Sequence, residues 1–232
     1  QSPPSMLKLH DFCNRAGKTT AAMVLANQLS LGAKVTVIDA DPNRPFKSWA
    51  SGGNTHPNMH IVVDADEENI IDKIEEAATR TPFVIVDLEG TAAKIVLLAI
   101  SQADLVVVPT QGSQLDAEQA ARALKLIRQQ EKMTRRIVPY GVLLTRTNPA
   151  IRTRTTAHIQ EGLRNAGVHV FTAELNEREA YKAMMAFQRP LQDLDPSDVS
   201  NIDKAIANAN RFTMEVIERL REKVGNDQGD GR

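Results

Sequence analysis

Short apolar segments rich in β-branched residues alternate with helix-like segments along most of the chain. Residues 34–38 and 83–86 are two of these segments, and apolar residues at helical spacing occupy the intervals between them. Strands that are apolar on both sides need cover on both faces of a sheet. The alternation therefore predicts a doubly wound α/β fold, with a mostly parallel sheet and helices on both faces. Because ligands of such sheets bind beyond the carboxyl ends of the strands, the polar residues that come directly after the strands are the first candidates for a site.

The chain is long enough for one well-buried domain, which we expect over residues 6–224. Predicted strands span 7–13, 34–38, 59–63, 83–86, 104–108, 137–144 and 168–171. Predicted helices span 21–29, 67–79, 117–131, 155–166, 179–187 and 201–224. We interpret residues 1–5 as a cloning remnant before Met6 and residues 225–232, which are rich in glycine and aspartate, as a disordered tail.

The composition excludes several classes of protein. The single cysteine, Cys13, excludes an internal disulfide and a cysteine-based zinc site, and it favours a reducing cytoplasm. No apolar run approaches the roughly 18–20 residues of a membrane span. The net charge is −1, but residues 1–116 carry 9 basic and 14 acidic side chains, whereas residues 117–232 carry 19 and 15. The basic side chains are therefore concentrated in the second half of the chain.

A Gly-Lys-Thr-Thr motif at residues 17–20 lies between the first predicted strand and the first predicted helix. A strand that enters a helix through such a turn presents backbone N–H groups that bind phosphate. Lys18 would contact the β- and γ-phosphates, and the Thr19 hydroxyl would bind Mg²⁺. Since four-residue matches occur by chance, the strand before the motif and the helix after it carry the prediction.

Three aspartates come directly after predicted strands: Asp39 and Asp41 after the second, and Asp87 after residues 83–86. Asp87 has the position of an aspartate that holds Mg²⁺ through water. Asp39 or Asp41 could polarise an attacking water. Alternatively, strand-end aspartates cap the adjoining turns or helices. The residues alone leave both interpretations open.

Taken together, these segments resemble the ordered motifs of ParA/MinD-type deviant Walker A P-loop ATPases. The resemblance covers residues 6–220 and is closest to short plasmid-type ParA and to ParA-like DNA-transfer proteins. The segments that carry it are Gly17-Lys18-Thr19-Thr20, Ile38-Asp39-Ala40-Asp41-Pro42, Val84-Ile85-Val86-Asp87, and residues 103–110, 143–148 and 177–191.

The resemblance implies a P-loop NTPase fold and a dimer that forms on ATP binding, with ATP/ADP and Mg²⁺ as cofactors. It implies catalytic roles for Lys18, which contacts phosphate, and Asp41, which positions the hydrolytic water. The implied metal site consists of Thr19, Asp39 and Asp87. The implied nucleotide-binding residues are Arg15, Ala16, Gly17, Lys18, Thr19 and Thr20 at the phosphates and Asn148 near the base.

The phosphate loop departs from the family pattern, which is Lys-Gly-Gly-x-Gly-Lys-Thr-Thr. Aligned on Gly17-Lys18, the chain has Cys13-Asn14-Arg15 where Lys-Gly-Gly is expected, and side chains would obstruct the close approach of backbone to phosphate. Aligned on residues 12–15 as the strand exit, the chain lacks three residues before Ala16. We favour the second alignment, in which the three residues are either deleted from the protein or absent only from this sequence. A real deletion predicts severely weakened ATP binding and no ATP-driven dimer. A further alternative is that Arg15 replaces the Lys that, in the resembling family, reaches across the dimer.

A basic stretch spans residues 122–154, with nine basic side chains against one acidic side chain, Glu131. A solvated helix face is one interpretation. The other is non-specific binding of double-stranded DNA through phosphate contacts. The candidate DNA-binding residues are Arg122, Lys125, Arg128, Lys132, Arg152, Arg154, Arg211 and Arg219.

The function expected from this resemblance is that of a ParA-like ATPase. ATP would drive a dimer that binds DNA non-specifically in the bacterial cytoplasm, at the nucleoid, to segregate plasmid DNA or to position a cargo. A ParB-like or other partner would stimulate hydrolysis. The alternative is a hydrolysis-deficient ParA-like scaffold for conjugative DNA transfer. A MinD-like membrane ATPase is disfavoured, because the apolar stripe of helix 201–224 fits packing on the sheet, so no membrane partner is expected.

Overall fold

The β-branched runs form the centre of the fold. The computed structural model of the protein describes residues 5–10, 17–88, 93–151 and 153–229. The strands within these residues are β1 (Ser5–His10), β2 (Val35–Ala40), β3 (Met59–Val62), β4 (Phe83–Leu88), β5 (Leu105–Thr110), β6 (Tyr140–Thr147) and β7 (Leu175–Asn176). The helices are α1 (Lys18–Ser30), α2 (Pro45–Ala50), α3 (Ile70–Arg80), α4 (Ala93–Ser101), α5 (Gln114–Thr134), α6 (Arg154–Asn165), α7 (Glu179–Ala186) and α8 (Ile202–Gly229).

The strands pair in the order β3-β2-β4-β1-β5-β6-β7, and every neighbouring pair is parallel. The predicted parallel, doubly wound sheet is therefore confirmed. From β1 at the centre the chain first builds β2 and β3 on one side and later β5, β6 and β7 on the other. This reversal of direction opens a crevice at the carboxyl ends of the central strands.

Two hydrophobic layers cover the sheet, because successive side chains of a strand point to opposite faces. Ile85 of β4 packs with the layer that contains α1, α2, α7 and α8. Val84 and Val86 pack with the layer that contains α3, α4 and α5. Helix α1 is buried along residues 21–30, as expected of a helix that is apolar on nearly all sides. The layers place α1 and α4 on opposite sides of the crevice.

The first strand begins earlier than predicted. β1 includes Ser5 and Met6, two residues before the predicted start at Leu7, and it pairs with β4 over its whole described length. The rest of the predicted strand, residues 11–13, lies outside the described residues, as does the junction between Arg15 and Ala16.

Four further predictions are corrected by the fold. Helices α2 and α4 and the two-residue strand β7 were not expected. Residues 168–171 contribute only a single parallel bridge, between Val142 and Val170, in place of a strand. Ser5, which was set apart from the domain, pairs with Phe83 within β1. Helix α8 continues through Gly229, so residues 225–229 are helical and the predicted disorder there is wrong.

The apolar stripe of α8 is part of the core. Ala205, Ala209, Phe212, Val216 and Leu220 are buried in the same cluster as α1, as predicted for a helix that packs on the sheet. Within the described ranges, no helix combines the length and the apolar character needed to cross a membrane.

Helix α2 is anchored at both of its ends. Phe46 and Trp49 are buried, and the indole N–H of Trp49 donates to the Met184 carbonyl oxygen of α7 at 2.9 Å. At its first turn, the backbone N–H groups of Phe46 and Lys47 donate to the Asp39 carboxylate at 3.0 and 3.1 Å. The helix thus connects the carboxyl end of β2 to α7.

Candidate nucleotide and metal site

Two buried aspartates meet at the carboxyl ends of β2 and β4. Asp39 and Asp87 are partners in the register of these strands, and both side chains have no solvent exposure. Parallel strands end at the same edge of a sheet, so the carboxylates lie side by side at the crevice. The structure thus brings together two of the three predicted strand-end aspartates.

The cation of the site comes from the first residue of α1. Gly17, which precedes it, has a φ of 76°, a left-handed conformation that glycine adopts without strain. The ammonium Nζ of Lys18 is buried, donates to the Leu88 carbonyl oxygen at 2.9 Å, and lies 3.7 Å from Asp41 Oδ2. Lys18 therefore sits among the carboxyl ends of β2 and β4, where it can also attract phosphate.

Thr19 reaches Asp87 directly. Its hydroxyl donates to Asp87 Oδ2 at 3.0 Å. Burial raises the pKa of Asp87 to about 7, although Lys18 and the Thr19 hydrogen bond lower it in part. A carboxyl group with that pKa is partly protonated at neutral pH, so a cation that binds there displaces the proton.

Each of the two buried aspartates has one oxygen without a hydrogen-bond partner in the described part of the chain. These oxygens are Asp39 Oδ1 and Asp87 Oδ1. Burial raises the pKa of Asp39, while the N–H groups of Lys47 and Phe46 and the charge of Arg44 oppose that rise. Unpartnered buried carboxylate oxygens beside a hydroxyl are ligands that suit Mg²⁺. The set formed by Thr19, Asp39 and Asp87 therefore fits a magnesium ion.

This set is small, as is usual for Mg²⁺ sites completed by phosphate and water. Among the residues that the structure describes, no three carboxylate, imidazole or thiol groups are close enough to hold a metal by themselves. The hydroxyl of Thr19 and the oxygens of a bound nucleotide would have to complete the shell.

The capping interpretation is also correct for one oxygen of Asp39 and one oxygen of Asp41, but not for Asp87, which accepts from the Thr19 hydroxyl. Asp41 Oδ1 accepts from the backbone N–H of Asn43 at 2.8 Å and from its side-chain amide at 3.0 Å. Asp39 Oδ2 caps α2. Asp41 Oδ2 is left facing Lys18. Capping and a role in the site are therefore compatible, because each carboxylate has two oxygens.

Sequence reasoning assigned no role to Arg44, which contacts the same edge. Arg44 lies in the left-handed region, with a φ of 48°, and its guanidinium Nη1 donates to the Asp39 carbonyl oxygen. The signal in the sequence is a polar residue between Asn43 and Pro45 directly after the strand end. A spacing pattern cannot reveal this contact, because it depends on the positive φ of Arg44.

The predicted base-side residue lies at the end of β6. Asn148 is exposed, and its Oδ1 accepts from the Ala150 backbone N–H at 2.8 Å. A groove of about 1460 Å³ is lined by Asn148, Pro149 and Ala150, and a cavity of about 500 Å³ is also lined by Pro149 and Ala150. Thr145 of the same strand is next to Gly17: a Cβ added to Gly17 would lie 3.8 Å from Thr145 Cβ. β6 therefore connects the phosphate side of the crevice to the predicted base side.

The remaining predicted phosphate contacts are Thr20, Arg15 and Ala16. Thr20 is partly buried on α1. Arg15 and Ala16 lie outside the described residues, as does Cys13.

The predicted DNA-binding residues do not form one surface. Arg122, Lys125, Arg128 and Lys132 are all exposed on α5, and none has a described carboxylate within 4 Å. Arg154 is exposed at the start of α6, and Arg152 lies outside the described residues. The remaining two are on α8, in the opposite layer. One of these, Arg211, lines the groove, and the other, Arg219, is paired with Glu222 at 2.8 Å. A duplex on α5 would therefore not contact the α8 residues.

Comparison with known proteins shows the family of this chain. A family model described as VirC1 protein matches residues 5–225. The chain belongs to the VirC1 family. It is 38% identical over 210 residues to the protein ParA of Rhizobium radiobacter, which covers 90% of this chain and 94% of that protein. It is 29% identical over 187 residues to the protein virC1 of Rhizobium rhizogenes, with 77% and 80% covered.

Solved structures show the same fold. The fold resembles that of an ATP complex of Cyanothece McdA that carries one substitution, with a TM-score of 0.69 and 18% identity over 90% of this chain and 97% of that one. Together with the family model and the 38% identity to the protein ParA of Rhizobium radiobacter, this fold confirms the recognition of a ParA/MinD-type P-loop ATPase. The chain is also 23% identical over 168 residues to the maintenance of carboxysome distribution protein A of Halothiobacillus neapolitanus, with 72% of this chain and 76% of that protein covered.

Proposed function

We propose that this chain binds Mg-ATP and hydrolyses it to ADP and phosphate, and that ATP binding drives formation of a homodimer. The observation that carries the proposal is the buried group of Lys18, Thr19, Asp39 and Asp87, in which a cation and two unpartnered carboxylate oxygens face one crevice. The identity with the protein ParA of Rhizobium radiobacter supports it. As the proposed role in the cell, the dimer binds double-stranded DNA without sequence preference and segregates DNA or positions a cargo, and a ParB-like partner stimulates hydrolysis.

The chemistry is divided among few residues. Lys18 neutralises charge at the β- and γ-phosphates, and its own position is fixed by the Leu88 carbonyl. Asp41, held by Asn43, orients the attacking water with the oxygen that faces Lys18. Thr19, Asp39 and Asp87 would hold Mg²⁺, which would stabilise charge on the γ-phosphate as the bond to the leaving oxygen breaks.

A substitution of Asp41 tests the division of roles. Asp41→Asn keeps an oxygen for the Asn43 N–H and removes the charge. We expect the hydrolysis rate at saturating ATP to fall by about 100-fold, because water is no longer oriented by a carboxylate. The affinity for ATP should not fall, since a negative charge beside phosphate is lost. Phosphate release and calorimetry measure the two quantities. Asp72→Asn, on the exposed face of α3, is the matched control. Equal losses of rate and affinity would contradict the role.

A second candidate is a scaffold for DNA transfer that has lost efficient hydrolysis. The sequence before Ala16, which lacks the Lys-Gly-Gly of related ATPases, favours it. Phosphate release with and without duplex DNA and a stimulating partner separates the two. Turnover supports the ATPase, and DNA binding without turnover supports the scaffold.

The exposed cations of α5 are the proposed DNA contacts. We expect replacement of Arg122, Lys125, Arg128 and Lys132 by alanine to weaken binding of a random-sequence duplex in ATP. The slope of log affinity against log salt should become less steep by about 3.6, since each of the four lost phosphate contacts removes about 0.9. A mobility-shift series in salt measures this slope.

The matched control removes four cations from other exposed positions: Lys34, Lys47, Arg80 and Lys94. Both variants have the same net charge. An equal change of slope in both would show that only overall charge matters, and the α5 surface would then have no special role.

A further inference from the structure

A buried asparagine of α8 holds the short strand β7. Asn208 is 1% exposed. Its Oδ1 accepts from the Asn176 backbone N–H at 3.0 Å and from the Tyr181 hydroxyl at 3.1 Å, and its Nδ2 donates to the Glu174 carbonyl at 2.7 Å. One side chain thus satisfies a backbone group at the end of β7 and another directly before the strand. We refer to Asn176, Tyr181 and Asn208 as the α8 clamp.

The α8 clamp extends to the end of β6. The Asn176 side-chain amide donates to the Thr147 hydroxyl at 2.9 Å, and the Glu177 backbone N–H donates to the Thr147 carbonyl at 2.9 Å. Thr147 directly precedes Asn148. The position of the strand end beside the predicted base is therefore set by α8, 61 residues further along the chain.

The α8 clamp also orients a cation. Arg178 Nη2 donates to Asn176 Oδ1 at 3.2 Å. The guanidinium borders the 500 Å³ cavity together with Pro149, Ala150 and Lys204. A planar guanidinium beside a proline in a cavity of this size matches the flat face and polar edge of a nucleobase. Asn176 therefore contacts both the end of β6 and Arg178, the two parts of the chain that would border the nucleobase.

These contacts are in the interior, where their loss is costly. Without the Asn208 side chain, the Asn176 N–H and the Glu174 carbonyl have no partner from α8. Helix α8 also packs with α1, which carries Lys18 and Thr19. The same helix therefore supports both ends of the proposed nucleotide site.

We propose that Asn208 is a positioning residue that sets the nucleobase side of the site through Asn176, Thr147 and Arg178. Asn208 does not touch the nucleotide itself. The inference rests on the proposed function, since it takes ATP as the ligand. It predicts that affinity for the base depends on Asn208, whereas affinity for the phosphates does not.

The test compares ATP with tripolyphosphate, which has no base, by calorimetry in Mg²⁺. We expect Asn208→Ala to weaken ATP binding about tenfold and to leave tripolyphosphate affinity within about twofold of the wild type. Val216→Ala is the matched control, because it removes buried side-chain volume from α8 two turns away and touches none of the clamp residues. It should change neither affinity.

Hydrogen exchange provides a measurement that needs no nucleotide. Asn208→Ala should speed exchange of the Asn176 and Glu177 amides, and Val216→Ala should not. An ATP affinity unchanged by Asn208→Ala, or equal losses for ATP and tripolyphosphate, would overturn the positioning role while the proposed function stands. A wild-type chain that binds neither ligand would overturn the proposed function and this inference with it.

Discussion

Replacement of Lys18 by alanine is expected to lower the affinity for Mg-ATP by at least about 100-fold, which is about 2.8 kcal/mol of binding free energy. Lys18 Nζ is the buried cation at the crevice, 2.9 Å from the Leu88 carbonyl and 3.7 Å from Asp41 Oδ2. Without it, phosphate would approach Asp39, Asp41 and Asp87 with no described cation at the centre of the group. Calorimetry with ATP in Mg²⁺ measures the loss.

The control for this prediction is Lys34→Ala. Lys34 is exposed just before β2, so the variant has the same charge as Lys18→Ala but an intact site. Its ATP affinity should match that of the wild type. Retention of wild-type affinity by Lys18→Ala would show that the crevice is not the phosphate site.

Replacement of Asp87 by asparagine is expected to stabilise the metal-free protein above neutral pH by on the order of 2–4 kcal/mol. Burial raises the pKa of Asp87 to about 7 in the folded chain, against an ordinary value of 3.8. The stability that goes with the protonated form is fully present below pH 3.8 and is lost as the pH rises through 7. Asparagine does not titrate, so the advantage of the variant should be near zero below pH 3.8 and largest above pH 7.

Urea unfolding in EDTA across this pH range measures the difference. Asp64→Asn is an informative control, because the Lys73 hydrogen bond lowers the pKa of exposed Asp64. Its effect has the opposite sign: wild-type Asp64 contributes stability above pH 3.8, which the variant lacks. Mg-ATP should stabilise the wild type but not Asp87→Asn. Free energies of unfolding that depend on pH in the same way for the wild type and for Asp87→Asn would contradict the raised pKa of Asp87.

The sequence alone was sufficient to predict the parallel sheet and the meeting of the site residues at one edge of it. β2 and β4 are continuous apolar runs, and parallel strands bring the residues at their carboxyl ends to one edge, so Asp39, Asp87 and Lys18 could be expected together. The exposed basic face of α5 was predictable because its cations recur every three or four residues. The same spacing cannot indicate which side of the sheet a helix covers, so the separation of Arg211 from that face was not predictable.

Other features depend on contacts that no local pattern encodes. The start of β1 was missed because the polar Ser5 gives no apolar signal. Helix α2 is six residues long, too short to show a period. The bond between Asn176 and Asn208 joins residues 32 positions apart. A lone asparagine in a helix gives no sign of its partner, so this part of the site appears only once β7 and α8 are placed side by side.

The anchoring of α2 has one more consequence. The Asp39 carboxylate accepts a hydrogen bond from the first turn of the helix, and Trp49 at its far end donates to the Met184 carbonyl oxygen. A rotation of the Asp39 side chain would therefore move the indole within its pocket. Trp49 is the chain's single tryptophan. The tryptophan emission of the protein therefore comes from one position, which helix α2 connects to a proposed metal ligand.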